Sequence, residues 1–342
     1  MNDISASILG CGGPRLSPEE TAFFRAVRPW GFILFKRNIE TPDQVRALVD
    51  ALRATIDRPD APVLIDQEGG RVQRLGPPHW GRYPPGRAYG ALPTNDPLVR
   101  REIARLGARL MAHDLAALGI NVDCVPVLDV PAPDGHEVIG DRAYGETPQE
   151  VGFLGRAAAE GLIAGGVLPV IKHIPGHGRA RADSHLALPV VEASLGELDA
   201  RDFPPFRMLS DMPMAMTAHV VYTAIDRRAP ATTSRSAIRR IIRGSIGFDG
   251  LLMSDDLSMK ALAGDFAERA RASLAAGCDV VLHCNGDMAE MKAVVSGTKT
   301  LAGRAKARAV AALGRLARLP EPFDAEAARA CFDAAFDGRW AA

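Results

Sequence analysis

Short apolar runs rich in β-branched residues alternate along this chain with longer segments in which apolar residues recur at helical spacing. Repeated βα units around a parallel sheet produce that alternation. Eight runs read as strands: Ile4 to Leu9, Gly31 to Phe35, Val63 to Glu68, Asn121 to Val130, Leu168 to His173, Met214 to Val221, Leu251 to Asp255 and Val280 to Asn285. Helix starts between them carry their own punctuation. Ser17, Thr41, Thr147 and Ser194 are followed three residues later by Glu20, Gln44, Glu150 and Glu197, which predicts reciprocal capping boxes. Pro18, Pro42 and Pro148 fall at the first helical position, where a missing N–H costs nothing. Eight such units point to a closed (β/α)8 TIM barrel rather than an open doubly wound sheet. With no low-complexity linker and no repeat beyond the βα alternation, the chain reads as one catalytic domain over residues 1–342. Its Ala/Arg/Lys-rich stretch from about residue 288 predicts an extra helical segment at the C-terminal end.

Composition narrows the function. A chain of 342 residues with 47% hydrophobic content can bury a large core. Its formal net charge is zero and its pI about 7.1, so it lacks the basic field that draws proteins to nucleic acid or anionic membranes, and a small-molecule substrate is expected. Cys11, Cys124, Cys278, Cys284 and Cys331 are odd in number, scattered and never spaced as CxxC. That argues against a disulfide framework or a zinc cluster and fits a reducing compartment. The first residues have no basic stretch followed by an apolar one, and no window is apolar for long enough to span a bilayer, so a cytoplasmic location is expected.

The chemistry concentrates in two places. Residues 172 to 186, KHIPGHGRARADSHL, hold three histidines, a lysine and an aspartate in a segment that Pro175, Gly176 and Gly178 keep from being helical. The run LLMSDDLSM ends a predicted strand on Asp255 and Asp256. In the eight-strand parse, polar groups fall at the C-terminal ends of five strands: Asp66, Asp129, Lys172 with His173, His219 and Asp255. Barrels of this kind carry their active sites at that end. A polar residue at one strand end is more often a cap or a buried hydrogen-bonding partner; agreement of five argues for one mouth. A loop of titratable groups facing a strand-end carboxylate suits acid/base plus nucleophilic chemistry, and so a hydrolase.

The motifs themselves resemble a known family. KHIPGHG followed by DSH, together with DQEGGRVQR at 66 to 74, GDRAYG at 140 to 145 and SDDLSM at 254 to 259, are similar to glycoside hydrolase family 3, in its bacterial β-N-acetylhexosaminidase branch of peptidoglycan recycling. The match runs from about residue 30 to 285, with Ile174 where phenylalanine is common and Ala143 where serine is common. The resemblance implies a nucleophile at Asp255, an acid/base at His185, and substrate-holding positions at Asp66, Arg74, Arg142, Lys172 and His173. It implies a single-domain enzyme that removes terminal β-linked N-acetylglucosamine from cytoplasmic muropeptides; no metal or organic cofactor is expected, and a monomer is expected although oligomeric state is not readable from the residues.

Elementary chemistry supplies reasons for those roles. A histidine has an unperturbed pKa of about 6.5, close to working pH, so it needs no burial to serve as acid and base. Asp183, two residues before His185, is placed to hold one ring nitrogen and fix the tautomer. Successive strand side chains face opposite sides, so Asp255 and Asp256 should not both face the mouth unless the strand has ended, and Asp256 is expected to accept hydrogen bonds from neighbouring amides. Paired Gly69 and Gly70 should let the chain turn back and return Arg74 to the mouth. Gly176, Gly178, Ala180 and Ala182 leave the segment between Pro175 and His185 few apolar anchors, which predicts a loop that opens and closes. Four other readings stay open: a metal-dependent hydrolase with His173, His177, Asp183 and His185 as ligands; a substrate-assisted hexosaminidase; a β-N-acetylglucosaminide phosphorylase; and a silent sugar-binding protein on the same fold.

Overall fold

The computed structural model describes residues 4–133, 135–184 and 186–340. Strands β1 (Ser5–Leu9), β2 (Pro29–Leu34), β3 (Val63–Ile65), β4 (Val122–Asp123), β5 (Leu168–Ile174), β6 (Met214–Thr217), β7 (Leu251–Asp256) and β8 (Val280–His283) close into one parallel barrel, with β8 beside β1. A helix follows each strand, from Pro18–Val27 after β1 to Met288–Gly297 after β8. The strands alternate between two cores as their period of two requires. Ile8, Ile33, Leu64, Val170, Met253 and Leu282 fill the barrel. Their neighbours Leu9, Phe32, Leu34, Val63 and Ile65 pack outward against Leu48, Leu52 and other helix residues. Runs buried on both faces read as continuously apolar, which is why the sequence displayed them.

All eight expected strands form, but three end early, each for a local reason. Past Asp123, Pro126 offers no amide hydrogen to the ladder. Pairing with β5 resumes only at a Val127–Lys172 bridge, where the Leu128 amide donates to the Lys172 carbonyl at 2.6 Å. Past Ile65, the chain folds into an antiparallel hairpin, Gln67–Gly69 with Val72–Gln73. Its corner is Gly69 and Gly70, at φ +92° and +56°, conformations that side chains resist. Past Thr217, Val221–Tyr222 leaves the barrel to pair with Val190–Val191.

Two of the four expected capping boxes are reciprocal, Ser17 with Glu20 and Ser194 with Glu197. Thr41 and Thr147 accept the expected amide hydrogen bonds, but the return half is missing because the partner side chain reaches one residue further back. Gln44 accepts from the Glu40 amide while its own amide group is engaged by Pro14 and Asn38 carbonyls. Glu150 accepts from the Glu146 amide at 3.2 Å. Pro18, Pro42 and Pro148 do occupy first-turn positions. After β8 come helices Met288–Gly297, Gly303–Gly314 and Ala325–Ala335. The last tucks Phe332 against Tyr83 and Tyr89, ring centroids 6.2 and 6.3 Å away. Among the described residues, no helix is long and apolar enough to cross a membrane.

Candidate active site

A cavity of about 220 Å3 opens at the C-terminal ends of the strands, smaller than the ~300–1,000 Å3 of drug-sized pockets and on the scale of a single sugar ring. Asp66, Arg74, Arg142, Lys172, His173 and Asp255 all line it. Six of the eight residues singled out in the sequence therefore converge on one mouth, from β3, the hairpin after it, the Gly140–Arg142 turn, β5 and β7. Asp183 is half-buried just before Ser184, which does line the cavity. His185 lies outside the described residues.

The polar wall is a chain of alternating charges. Lys172 Nζ donates to Asp66 Oδ1 at 2.8 Å and sits 2.6 Å from Glu68 Oε1. Glu68 in turn takes both Nε and Nη2 of Arg142 at 2.8 Å, a bidentate fork. Arg74 Nη2 donates to the other Asp66 oxygen at 3.2 Å. Burial pushes the Glu68 carboxyl up, but Arg142 and Lys172 outweigh it and hold the group down at about 2. The Asp66 carboxyl is likewise held well below the ordinary range by Lys172 and Arg74 against the effect of burial. Burial pulls Lys172 down, yet Asp66 and Glu68 together raise it well above a free lysine. All stay charged, and each cation keeps spare donors. Lys172 has three N–H groups for two carboxylates, and Arg142 spends three of five on Glu68 and the Val138 carbonyl. Each of these residues is therefore tied to a neighbour as well as facing the cavity.

A second cluster surrounds His173, which a cis peptide joins to Lys172. Its Nδ1 lies 2.7 Å from Asp129 Oδ2. Asp129 Oδ1 accepts from the amides of His173 at 3.2 Å and His177 at 2.6 Å. Burial raises the Asp129 carboxyl, but His173 and these donors more than compensate, so it sits below its ordinary value and remains an anion. Against this cluster stands Asp255. Burial raises its carboxyl, and the imidazoles of His173 and His219 with the Asp256 amide, at 2.8 Å from Oδ1, bring it below the usual range.

Both Asp255 and Asp256 contribute to the cavity lining, contrary to the expectation from strict alternation. The register between β7 and β8 slips between Met253 and Asp256, a bulge that puts one extra residue on β7 and re-aims the side chains at its end. Asp256 still does the bracing work expected of it, accepting from the amides of Ser258 and Cys284 at 3.1 Å. His219 sits behind the cavity. Its Nε2 donates to the Asp256 carbonyl at 3.0 Å and Nδ1 lies 2.7 Å from the Thr232 hydroxyl. Burial lowers its pKa, and these two bonds let the ring buttress the end of β7.

The first half of the loop after β5 is held by polar contacts. Gly176, His177, Gly178 and Ala180 are buried. The Gly176 carbonyl accepts from the Tyr222 hydroxyl at 2.7 Å, and the Gly178 and Ala180 carbonyls accept from the amides of Ala132 and His136. Arg179 donates to Asp202 at 2.7 Å. These small residues serve close approach: a Cβ on Gly178 would lie 1.9 Å from the Val130 carbonyl oxygen. Polar anchors, invisible to a count of apolar side chains, hold the first half of the loop. Among the described residues, no three His, Cys, Asp or Glu side chains are grouped to hold a metal ion.

Sequence reasoning passed over Glu68, the hub of the ion network, and the full role of Asp129. The signal for Glu68 was available: in an extended chain it shares a face with Asp66, two residues earlier. The apolar walls, Phe35, Met216, Met259 and Leu282 among them, come from separate elements and carried no local sign.

A (β/α)8 barrel with a small, carboxylate-bearing mouth fits a class, the barrel glycoside hydrolases. Comparison with known proteins sharpens it: residues 22–319 match the glycosyl hydrolase family 3 N terminal domain, and the chain belongs to that family. A beta-hexosaminidase from Methylococcus capsulatus is 44% identical over 277 residues, covering 80% of each chain. NagZ from Neisseria gonorrhoeae superposes with a TM-score of 0.82 at 34% identity, covering 98% of this chain and 97% of that one. A family 3 beta-N-acetylglucosaminidase from Paenibacillus gives a TM-score of 0.83 at 32% identity; this chain is covered over 91% of its length but spans only 61% of that longer protein. The chain is a glycoside hydrolase.

Proposed function

We propose that this enzyme is a retaining β-N-acetylglucosaminidase that releases terminal β-linked N-acetylglucosamine from muropeptides in the cytoplasm, and does so as a single catalytic domain, a monomer, without a cofactor. The names of its relatives support the sugar. The observation that carries the mechanism is Asp255: a carboxylate kept ionised in a sugar-sized cavity, with Oδ1 fixed by the Asp256 amide at 2.8 Å and the charged wall of Asp66, Lys172, Glu68 and Arg142 beside it. Asp255 attacks the anomeric carbon, the bond to the leaving oxygen breaks, and His185 gives that oxygen its proton. Water then attacks the same carbon, His185 takes a proton from it, and the ester to Asp255 breaks with net retention. Asp183 orients His185 and stabilises its charged form. Asp66, Arg74, Arg142, Lys172 and His173 hold the sugar's hydroxyls through the donors and acceptors their mutual pairing leaves over.

Wild type, Asp255→Ala and His185→Ala are to be assayed on an aryl β-N-acetylglucosaminide with and without inorganic phosphate. Asp255→Ala should lose nearly all activity, and a 2-fluoro sugar should label Asp255 in the wild type by mass spectrometry. His185→Ala should suffer least with a good leaving group, which needs little protonation. Full activity in Asp255→Ala ends the mechanism, and a rate that requires phosphate makes the enzyme a phosphorylase instead.

A further inference from the structure

Asp129 does not line the cavity, and its side chain is fully buried. Yet it grips two parts of the site at once. One oxygen faces the ring nitrogen of His173, and the other takes the backbone amides of both His173 and His177. An ionised carboxylate only accepts, so the His173 nitrogen beside it, Nδ1, must carry its hydrogen. Nε2 is then the ring nitrogen left to meet a ligand in the cavity that His173 lines. The His177 amide lies just past Pro175 and Gly176, at the root of the loop that continues to Asp183 and His185.

We propose that Asp129 is the positioning residue of this active site: it sets which nitrogen of His173 is presented to the sugar and ties that imidazole to the root of the loop bearing Asp183 and His185. The inference rests on the reading of His173 as a sugar-binding residue. In the neutral ring, Nε2 accepts a hydrogen bond from a substrate hydroxyl. Without an acceptor at Nδ1 the tautomer is free to reverse, and Nε2 becomes a donor. The carboxylate is fully buried: His173 and His177 face it, and Arg142 and Asp202, which also feel its charge, belong to the Gly140–Arg142 turn and the segment before β6. No solvent replaces what Asp129 supplies.

Asp129→Asn separates the two duties. The amide oxygen can still accept from both backbone amides, while its NH2 group, in place of Oδ2, forces His173 Nδ1 to become an acceptor. Asp129→Asn should keep its fold and lose about 10–100-fold in kcat/KM, the scale of a small misplacement of a binding group. Combined with His173→Gln, it should add almost nothing to the loss that His173→Gln causes alone. In 15N-histidine spectra, with His173→Gln identifying the signal, the proton should sit on Nδ1 in the wild type and on Nε2 in Asp129→Asn. The wild-type spectrum needs no variant of Asp129, so the test survives if that variant fails to fold. A wild-type His173 with a bare Nδ1, or an Asp129→Asn loss that is undiminished in the His173→Gln background, overturns the proposal. The 2-fluoro label, run alongside, keeps the two readings apart: an unlabelled Asp255 removes the nucleophile while the location of the His173 proton stays readable.

Discussion

At the scale of single residues, Glu68 decides the most. It is the only carboxylate that Arg142 grips bidentately among its described partners, and it shares Lys172 with Asp66. A buried ion pair adds little over a well-packed apolar pair, but removing one partner strands the other charge. Glu68→Gln should therefore cost about 3–5 kcal/mol in denaturant unfolding and lower kcat/KM as Arg142 loses its fork. A cost below about 1 kcal/mol would show that the cations find water or new partners easily. How legible was this residue? Asp66, Arg74, Arg142, Lys172, His173 and Asp255 could each be named from strand ends and motifs. Glu68 was given no role, although it shares a face with Asp66 in an extended chain, because its importance lies in what touches it.

At the scale of elements, two bends in the regular pattern build the mouth. The β7 bulge brings Asp255 and Asp256 to the lining together. The glycines after β5 let the loop root lie against the segment after β4. Gly178→Ala should destabilise the fold by about 1–3 kcal/mol, the usual cost of overpacking, and reduce activity, because its Cβ would meet the Val130 carbonyl oxygen at 1.9 Å. Gly196→Ala is the control: nothing lies within 4 Å of a Cβ there, so thermal unfolding and turnover should stay as in the wild type. Equal effects in both would mean that packing at Gly178 gives way. Strand number, strand order and most helix starts were readable from periodicity and caps. The strand ends were read too late: Pro126 and the Gly69–Gly70 corner were local signals that apolar runs outweighed, while the exit of Val221–Tyr222 depends on its partner Val190–Val191.

At the scale of the whole molecule, buried titratable groups tie stability to pH. Burial lowers His177 from 6.5 to about 4, so the unfolded chain binds more protons between those values and stability rises with pH across that window. Burial raises Asp202 from 3.8 to about 6, so there the folded chain holds more protons and stability falls as pH rises. Glu68, lowered from 4.5 to about 2, contributes stability that is complete above 4.5 and is lost as pH falls toward 2. Between pH 4 and 6 these two contributions oppose each other, so His177→Asn should tilt unfolding free energy toward falling as pH rises, by up to roughly 3 kcal/mol across the window, and Asp202→Asn should tilt it toward rising. Slopes that do not move apart in these opposite directions would mean that neither group titrates from a buried, folded site.

The sequence alone pointed to the barrel, because continuous apolar strands alternating with capped helices require a parallel sheet covered on both faces, and a count of eight such units is the one that closes. It also determined the family and most of the polar residues at the mouth, because strand-end positions and local motifs are one-dimensional facts. Only the tertiary structure decided how those residues serve one another: that Glu68 links Lys172 to Arg142, that Asp129 spans His173 and His177, and that Asp256 accepts amides while Asp255 is left ionised. Those outcomes turn on distances of a few ångströms between groups far apart along the chain. No periodicity in the sequence records a distance across a barrel.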